Sequence, residues 1–244
     1  FPGFNARTGG LLREAGLDAE RAAFQADTAA QAAFLAGLGV SAAEQQGMLV
    51  SLFCYPHAPV TPLFEAWQDG GAPLTCLVPE GVARDAVQAF LGTPAVAGAA
   101  ATRGALSVRV LPFVPQPDYD RLLWCCALNF VRGEDSWVRA QWANRPFIWH
   151  IYPQDENLHH VKLRAFLQRY APGTENLTSF SLCWNGAATP DESGWPGLWA
   201  SLQRHLPVLA ARALPWQVEM AALGDLAGNL LELARALRSA NAEN

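Results

Sequence analysis

Five short apolar runs, often β-branched, dominate the middle of the chain: "MLVSLFCY", "LTCLVP", "LSVRVLPF", "RLLWCCALNF" and "PFIWHIY". They are nearly continuous rather than alternating. A strand with one wet face alternates apolar and polar residues, whereas a strand buried on both faces does not. The runs therefore predict strands covered on both sides. Helical stretches separate several of them. "PLFEAWQDG" follows the first run, "GVARDAVQAFLG" the second, "DSWVRAQWA" the fourth and "DENLHHVKLRAFLQRY" the fifth. The third connection, "VPQPDYD", reads as short and Pro-rich. Strands alternating with helices imply crossover units, hence an α/β fold with a Rossmann-like, doubly wound parallel sheet.

The flanks differ. Residues 18–38 are Ala-rich and helical in character, anchored by Phe24, Phe34, Leu35 and Leu38. After Tyr170 the chain loosens through "APGTENLTS" and "NGAATPDESGWPG". Two helical segments end it. The last, roughly Val218 to Arg238, sets Leu223, Leu226, Leu230, Leu233 and Leu237 at helical spacing. Such a stripe suits core packing, or a return onto a further domain. The chain starts at Phe1, and "FPGFNARTGGLLRE" reads as a connecting segment, so an N-terminal half is expected to be missing.

Composition narrows the function. With 51% hydrophobic and 16% charged residues among 244, the chain can bury a sizeable core. A net charge of −5 offers no basic field for nucleic acid or anionic lipid. The longest apolar runs are too short to span a bilayer, and no signal-peptide pattern precedes the first strand. The five cysteines, Cys54, Cys76, Cys125, Cys126 and Cys183, include no C-x-x-C pair. Four lie in strand-like runs, which suits buried reduced thiols in a cytoplasmic protein rather than zinc ligands. The sequon at Asn176-Leu177-Thr178 is read as a chance match.

Candidate chemistry gathers at strand ends, where ligands of such sheets bind. In "FVRGEDSWVRAQWA", Phe130 to Ala143, a strand turns sharply into a helix. Gly133 relaxes the turn, Ser136 can cap the helix or meet a phosphate oxygen, and Arg132 supplies a charged fork. Together with the first-turn amides these could hold a diphosphate. Glu134 and Asp135 in the same turn equally suit an ordinary helix start. The third strand ends in "PFVPQPDYD", offering Phe113 to stack on a base and Gln116 to pair with its edge. "FCYPHAP" adds Phe53 and Tyr55, and "IYPQDEN" adds Tyr152 and Gln154.

Adjacent His159 and His160 point different ways on a helix and make no i, i+4 metal pair. His150 reads as a packed core residue, while His57 and His205 read as surface or cap residues. No metal is assigned. Trp137, Trp142 and Trp149 are placed on the apolar side of the candidate site. Neither a G-x-G-x-x-G nor a P-loop pattern occurs, which weakens a dinucleotide or ATPase reading.

The run "DYDRLLWCCALNFVRGEDSWVRAQWANRPFIWHIYPQDENLHHVKLRAFLQRY" closely resembles the EarP family, bacterial enzymes that attach rhamnose to an arginine of translation elongation factor P. "FPGFNARTGGLLRE" and "SLFCY" are similar to the same family, and the resemblance covers essentially the whole chain. It implies a two-domain GT-B glycosyltransferase that uses dTDP-β-L-rhamnose, inverts the anomeric centre and needs no metal or other cofactor. This chain would then be the C-terminal donor-binding domain. Residues 1–45 would be a connecting segment and helix, 46–206 the Rossmann-like nucleotide-sugar-binding domain, and 207–244 helices returning toward the missing N-terminal domain.

By the same resemblance, Phe113 and Gln116 would hold thymine, with Phe53 and Tyr55 lining that pocket. Arg132, Asp135 and Ser136 would contact ribose and diphosphate, Tyr152 and Gln154 completing the substrate-binding set. Glu134 matches a glutamate important for activity. A carboxylate there would receive a sugar hydroxyl or offset the acceptor guanidinium, whose protonated nitrogens make it a poor nucleophile without a nearby base. The implied partners are dTDP-rhamnose, elongation factor P and the missing domain, with no nucleic acid or membrane, and the implied location is cytoplasmic. The chain alone would bind donor without turnover. One departure is Ala127, where an acidic residue is expected. Competing readings are another sugar-nucleotide transferase or epimerase, or a non-catalytic nucleotide-binding module.

Overall fold

The computed structural model describes residues 3–5 and 8–242; Phe1, Pro2, Ala6 and Arg7 of the connecting segment lie outside them. Its centre is one six-stranded sheet. In chain order the strands are β1 (Met48–Leu52), β2 (Leu74–Pro79), β3 (Ala100–Arg103), β4 (Leu106–Leu111), β5 (Leu128–Arg132) and β6 (Phe147–His150). They are arranged β3-β4-β2-β1-β5-β6, all parallel except the edge strand β3. The helices are α1 (Leu17–Ala26), α2 (Thr28–Gly37), α3 (Val60–Gln68), α4 (Arg84–Leu91), α5 (Gln116–Cys125), α6 (Asp135–Gln141), α7 (Leu158–Tyr170), α8 (Glu175–Trp184), α9 (Gly194–Ala221) and α10 (Leu226–Ala242).

Burial explains the continuous apolar runs. Successive strand residues face opposite sides of the sheet, and here both sides are covered. Leu49, Leu77 and Leu111 join one cluster with Leu35 of α2 and Leu122 of α5. Their neighbours Val50, Leu52, Cys76, Val78, Val108 and Val110 join the larger cluster on the other face, with Phe64 and Trp67 of α3 and Trp199 of α9. A polar side chain at any of these positions would face a packed apolar layer.

Three sequence expectations are corrected. The run "RLLWCCALNF" is not one strand, because Arg121–Cys125 finish α5 and β5 begins only at Leu128. Accordingly the third connection is no short loop. Pro117 sits in the first turn of α5, where its missing N–H is harmless, and Asp118 follows it. Strand β3 was not expected. It is short, mostly exposed and pairs with β4 as an edge hairpin across Gly104. The final helical stretch is broken: α9 stops at Ala221, Gly224 takes a φ of 77°, and α10 restarts at Leu226. Cys183 lies in α8 within the segment read as loose, and all five cysteines are free thiols.

The flanking segments are tied to this frame. Residues 18–38 form two helices rather than one stretch, and the Asp27 side chain between them caps α2 by accepting from the Ala30 amide at 2.9 Å. Arg21 of α1 is buried and donates to the Trp142 carbonyl at 2.8 Å and to Gln217 of α9. The break between α9 and α10 clasps the N-terminal segment. The Leu226 amide donates to the Leu11 carbonyl at 3.1 Å, and Asn229 Nδ2 donates to the Gly9 carbonyl at 2.9 Å. Helix α9 runs unbroken through residues 206 and 207 despite Pro207 and Pro215.

Candidate functional site

The chain leaves β1 for β2 and β4 on one side, then returns to lay β5 against β1's other edge. Loops following β1 and β5 part company there, which opens a crevice at the carboxyl ends of the strands. Two cavities occupy it. The first, of about 490 Å3, is lined by Phe53, Phe113, Gln116, Tyr119, Asp135 and Ser136 among others. The second, of about 200 Å3, is lined by Tyr55, Glu134, Trp149, Tyr152, Gln154 and Lys162, with Gly133 and Ile151. Arg132 stands between a wall of each: its guanidinium carbon lies 4.2 Å from the Phe53 ring centre and 5.2 Å from that of Tyr55. One nitrogen, Nη1, donates to the Cys54 carbonyl at 3.0 Å, which fixes the fork between the two cavities. The ten candidate site residues thus gather around this crevice, whereas Ala127 lies at the opposite, N-terminal end of β5 and lines neither cavity.

The turn after β5 is built for close packing. Gly133 has a φ of 62°, which favours glycine, and a Cβ there would lie 2.7 Å from the Tyr55 hydroxyl and push that ring aside. The Gly133 carbonyl accepts from Trp149 Nε1 at 2.7 Å, and its amide donates to the His150 carbonyl at 3.0 Å. Ser136 does not cap α6, whose N-cap is Glu134. Its buried hydroxyl instead accepts from the Arg132 amide at 2.9 Å and donates to the Arg132 carbonyl at 2.5 Å. The hydroxyl proton is committed to the turn, because buried backbone groups must find partners.

Side-chain exposure sorts the rest. Phe113 is 92% exposed, an aromatic face offered at the cavity rim with little role in the core. Glu134 is exposed and pairs with Lys162 Nζ at 3.0 Å. Lys162 is the chain's single lysine and also lies over the Trp149 ring at 5.6 Å. An exposed pair of this kind contributes little to stability and exchanges easily. Asn185 holds the far wall. Its Oδ1 accepts from the Ile151 amide at 2.9 Å, and its Nδ2 donates to the Trp149 carbonyl at 2.8 Å, which sets the path of the chain into Tyr152.

His150 is buried at the end of β6, as the sequence implied. Its Nδ1 accepts from the Tyr55 amide at 3.2 Å, so its proton resides on Nε2, 3.1 Å from His57 Nε2. Burial, then His57 and Arg132, push its pKa down to about 3, so it stays neutral at physiological pH. The His159 and His160 rings lie 4.0 Å apart rather than pointing away from each other. Each has its own tie, His159 Nδ1 to the Gln154 amide and His160 Nε2 to the Asn185 carbonyl. Among the described residues no three His, Cys, Asp or Glu side chains cluster so as to hold a metal ion. No helix there is long and apolar enough to cross a membrane.

Sequence reasoning missed the first cavity's charged floor. Arg139 of α6 donates to both Asp120 oxygens, at 2.7 and 2.5 Å, and from Nη1 to both Glu14 oxygens, at 2.9 and 2.7 Å. Glu14 Oε1 also accepts from Gln116 Nε2 at 3.2 Å. Burial pulls the Glu14 carboxyl upward, but the hydrogen bond and charge of Arg139, a backbone N–H and Gln116 together outweigh it and hold the pKa below the usual range. Asp120 is more deeply placed, and burial raises its carboxyl despite the same arginine. Tyr119 lines the cavity, and burial of its hydroxyl raises its pKa. Arg139 stands one helical turn beyond Ser136, and Tyr119 one turn beyond Gln116, so spacing could have flagged both. Nothing local pointed to Glu14.

The family model for the Elongation-Factor P (EF-P) rhamnosyltransferase EarP matches residues 1–235. The chain belongs to the EarP family. It is 47% identical over 238 residues to a protein-arginine rhamnosyltransferase of Pseudomonas aeruginosa, covering 95% of this chain and 62% of the relative. A protein-arginine rhamnosyltransferase of Pseudomonas putida is 44% identical over 236 residues, covering 96% of this chain and 62% of its own length. The chain therefore spans rather less than two thirds of these EarP relatives. A solved structure described as the structural basis for EarP-mediated arginine glycosylation of translation elongation factor EF-P matches with a TM-score of 0.85 and 40% identity. The match covers 97% of this chain and 75% of that one.

Proposed function

We propose that this chain is the donor-binding part of an inverting GT-B glycosyltransferase that moves rhamnose from dTDP-β-L-rhamnose to an arginine of translation elongation factor P in the cytoplasm. The observation that carries the reading is the pair of neighbouring cavities at the sheet's switch point. One presents the exposed aromatic Phe113 beside Gln116, the other the carboxylate of Glu134, and Arg132 stands between them. A nucleoside diphosphate sugar has the matching order of groups: a flat base, a diphosphate, then the sugar. On this reading thymine stacks on Phe113 and pairs with Gln116, with Phe53 as a wall; Tyr55, expected from the sequence to line the same pocket, lines the second cavity instead. Arg132, whose fork suits phosphate oxygens, serves the diphosphate, with Asp135 accepting from the ribose and Ser136 contributing through its backbone, since its hydroxyl is taken up by the turn. Tyr55, Tyr152 and Gln154 border the sugar.

Glu134 then faces the sugar or the incoming guanidinium, its partner Lys162 acting as a cation that the acceptor replaces. No metal or other cofactor enters the reading. The remaining length of the relatives would supply the acceptor half. Residues 46–206 would form the donor domain, with 1–45 and 207–244 joining it to that half. The half-exposed Leu230, Leu231, Leu233 and Leu237 of α10 support a packing surface for it.

The test is to incubate the chain with dTDP-β-L-rhamnose and elongation factor P, follow donor binding by calorimetry and follow the acceptor by mass spectrometry. Donor binding without transfer is expected. Transfer by this chain alone would overturn the division of labour, and absence of donor binding would overturn the site.

A further inference from the structure

Gln116 does not stand free at the cavity rim. Its Nε2 donates at 3.2 Å to Oε1 of Glu14, a residue 102 positions earlier in the chain. Glu14, though its side chain is half exposed, is in turn tethered: Arg139 Nη1 donates to both its oxygens, and Arg139 is itself held by both oxygens of buried Asp120. Two carboxylates around one guanidinium leave the cluster with a net negative charge, and the Glu14 carboxyl is held ionised. An ionised carboxylate has no proton to give and can only accept. The Gln116 amide must therefore turn its NH2 toward Glu14, which leaves Oε1 as the acceptor for whatever enters the cavity.

We propose that Glu14 is a positioning residue that fixes the direction of the Gln116 amide, so that the cavity selects bases carrying an imino N–H over bases with a bare ring nitrogen. This rests on reading the cavity as a nucleoside diphosphate site. Thymine and uracil present N3–H between two carbonyls, and Gln116 Oε1 accepts that proton. Cytosine presents an unprotonated N3 at that point, so two acceptors meet there, and its one donor on that edge, the N4 amino group, is displaced from the position Gln116 Oε1 addresses. A glutamine free to turn its amide over would read either edge, because its two ends interchange donor and acceptor. Glu14 removes that freedom. The connecting segment, far from the cavity in sequence, thereby sets base choice.

The experiment is calorimetric titration of the chain with dTDP, dUDP and dCDP, repeated for Glu14→Ala and Glu14→Gln, with thermal melting as the check on folding. The pair dUDP and dCDP differs only at the edge in question. The parent chain is expected to favour dUDP by on the order of tenfold or more, the discrimination of one hydrogen bond replaced by a clash of acceptors. In Glu14→Gln the new side chain can donate as well as accept, so the preference should collapse toward equality while the fold persists. Glu14→Ala should behave alike if it folds. Variants that weaken both nucleotides equally and keep their ratio would make Glu14 a shaping residue only and overturn the proposal. A parent chain that binds dUDP and dCDP alike would overturn it while leaving the nucleotide site intact. A parent chain that binds none of the three would remove the site itself and the proposal with it.

Discussion

Truncating Phe113 separates binding from folding more cleanly than any other change at the crevice. The side chain is 92% exposed, so Phe113→Ala removes almost no buried apolar surface. Stability should change by no more than about 0.5 kcal/mol, as for surface positions generally. The loss to a stacked base should be far larger, at ~1–3 kcal/mol by analogy with aromatic stacking on nucleic-acid bases. At 1.4 kcal/mol per tenfold, the Kd for dTDP should rise roughly 5- to 150-fold. Calorimetric titration measures the affinity and circular dichroism the melting curve. Phe113→Trp, which keeps an aromatic face, should bind dTDP more tightly than Phe113→Leu, which does not. An unchanged Kd for Phe113→Ala would refute the stacking role. A large fall in melting temperature would mean that the ring supports the fold after all.

Three further outcomes follow from the geometry. Ser136→Ala strands the Arg132 amide in a partly buried turn and should cost about 1 kcal/mol in urea unfolding; an unchanged midpoint would contradict the bonding described. Asp120→Ala leaves Arg139 poorly compensated in a buried position and should cost about 3–5 kcal/mol by the same assay, whereas a loss below 1 kcal/mol would mean that Glu14 and water suffice. His150 stays neutral in the folded chain down to about pH 3, while the unfolded chain protonates it near 6.5. The unfolded state thus binds the extra proton, and stability falls as pH drops through that window by about 1.4 kcal/mol per unit. Between pH 6.5 and 5 this group alone accounts for roughly 2 kcal/mol, and His150→Asn should flatten the slope by that amount; parallel slopes for the two proteins would rule this out.

Much of the frame was legible because burial on both faces writes itself into sequence as unbroken apolar runs. Val50, Val78 and Val110 gave that signal for β1, β2 and β4. The same signal misled at "RLLWCC", because the buried end of α5 is as apolar as a strand and too short to show its period. Strand β3, "AATR", is an exposed edge with no apolar face to announce it. That Arg132, Gly133 and Phe113 would share one end of the sheet was legible because fold class brings the carboxyl ends of parallel strands together. Glu14 was not. Its role comes from Arg139, 125 positions away, and only the closed structure brings them together.

A crystal structure of the chain grown with dTDP tests the account most directly. The nucleotide should lie across the carboxyl ends of β1 and β5, its base against Phe113 with N3–H toward Gln116 and its diphosphate within hydrogen-bonding reach of Arg132. Nucleotide bound in any other cavity, or a first cavity that stays closed to it at saturating concentration, would contradict the assignment of this crevice as the donor site.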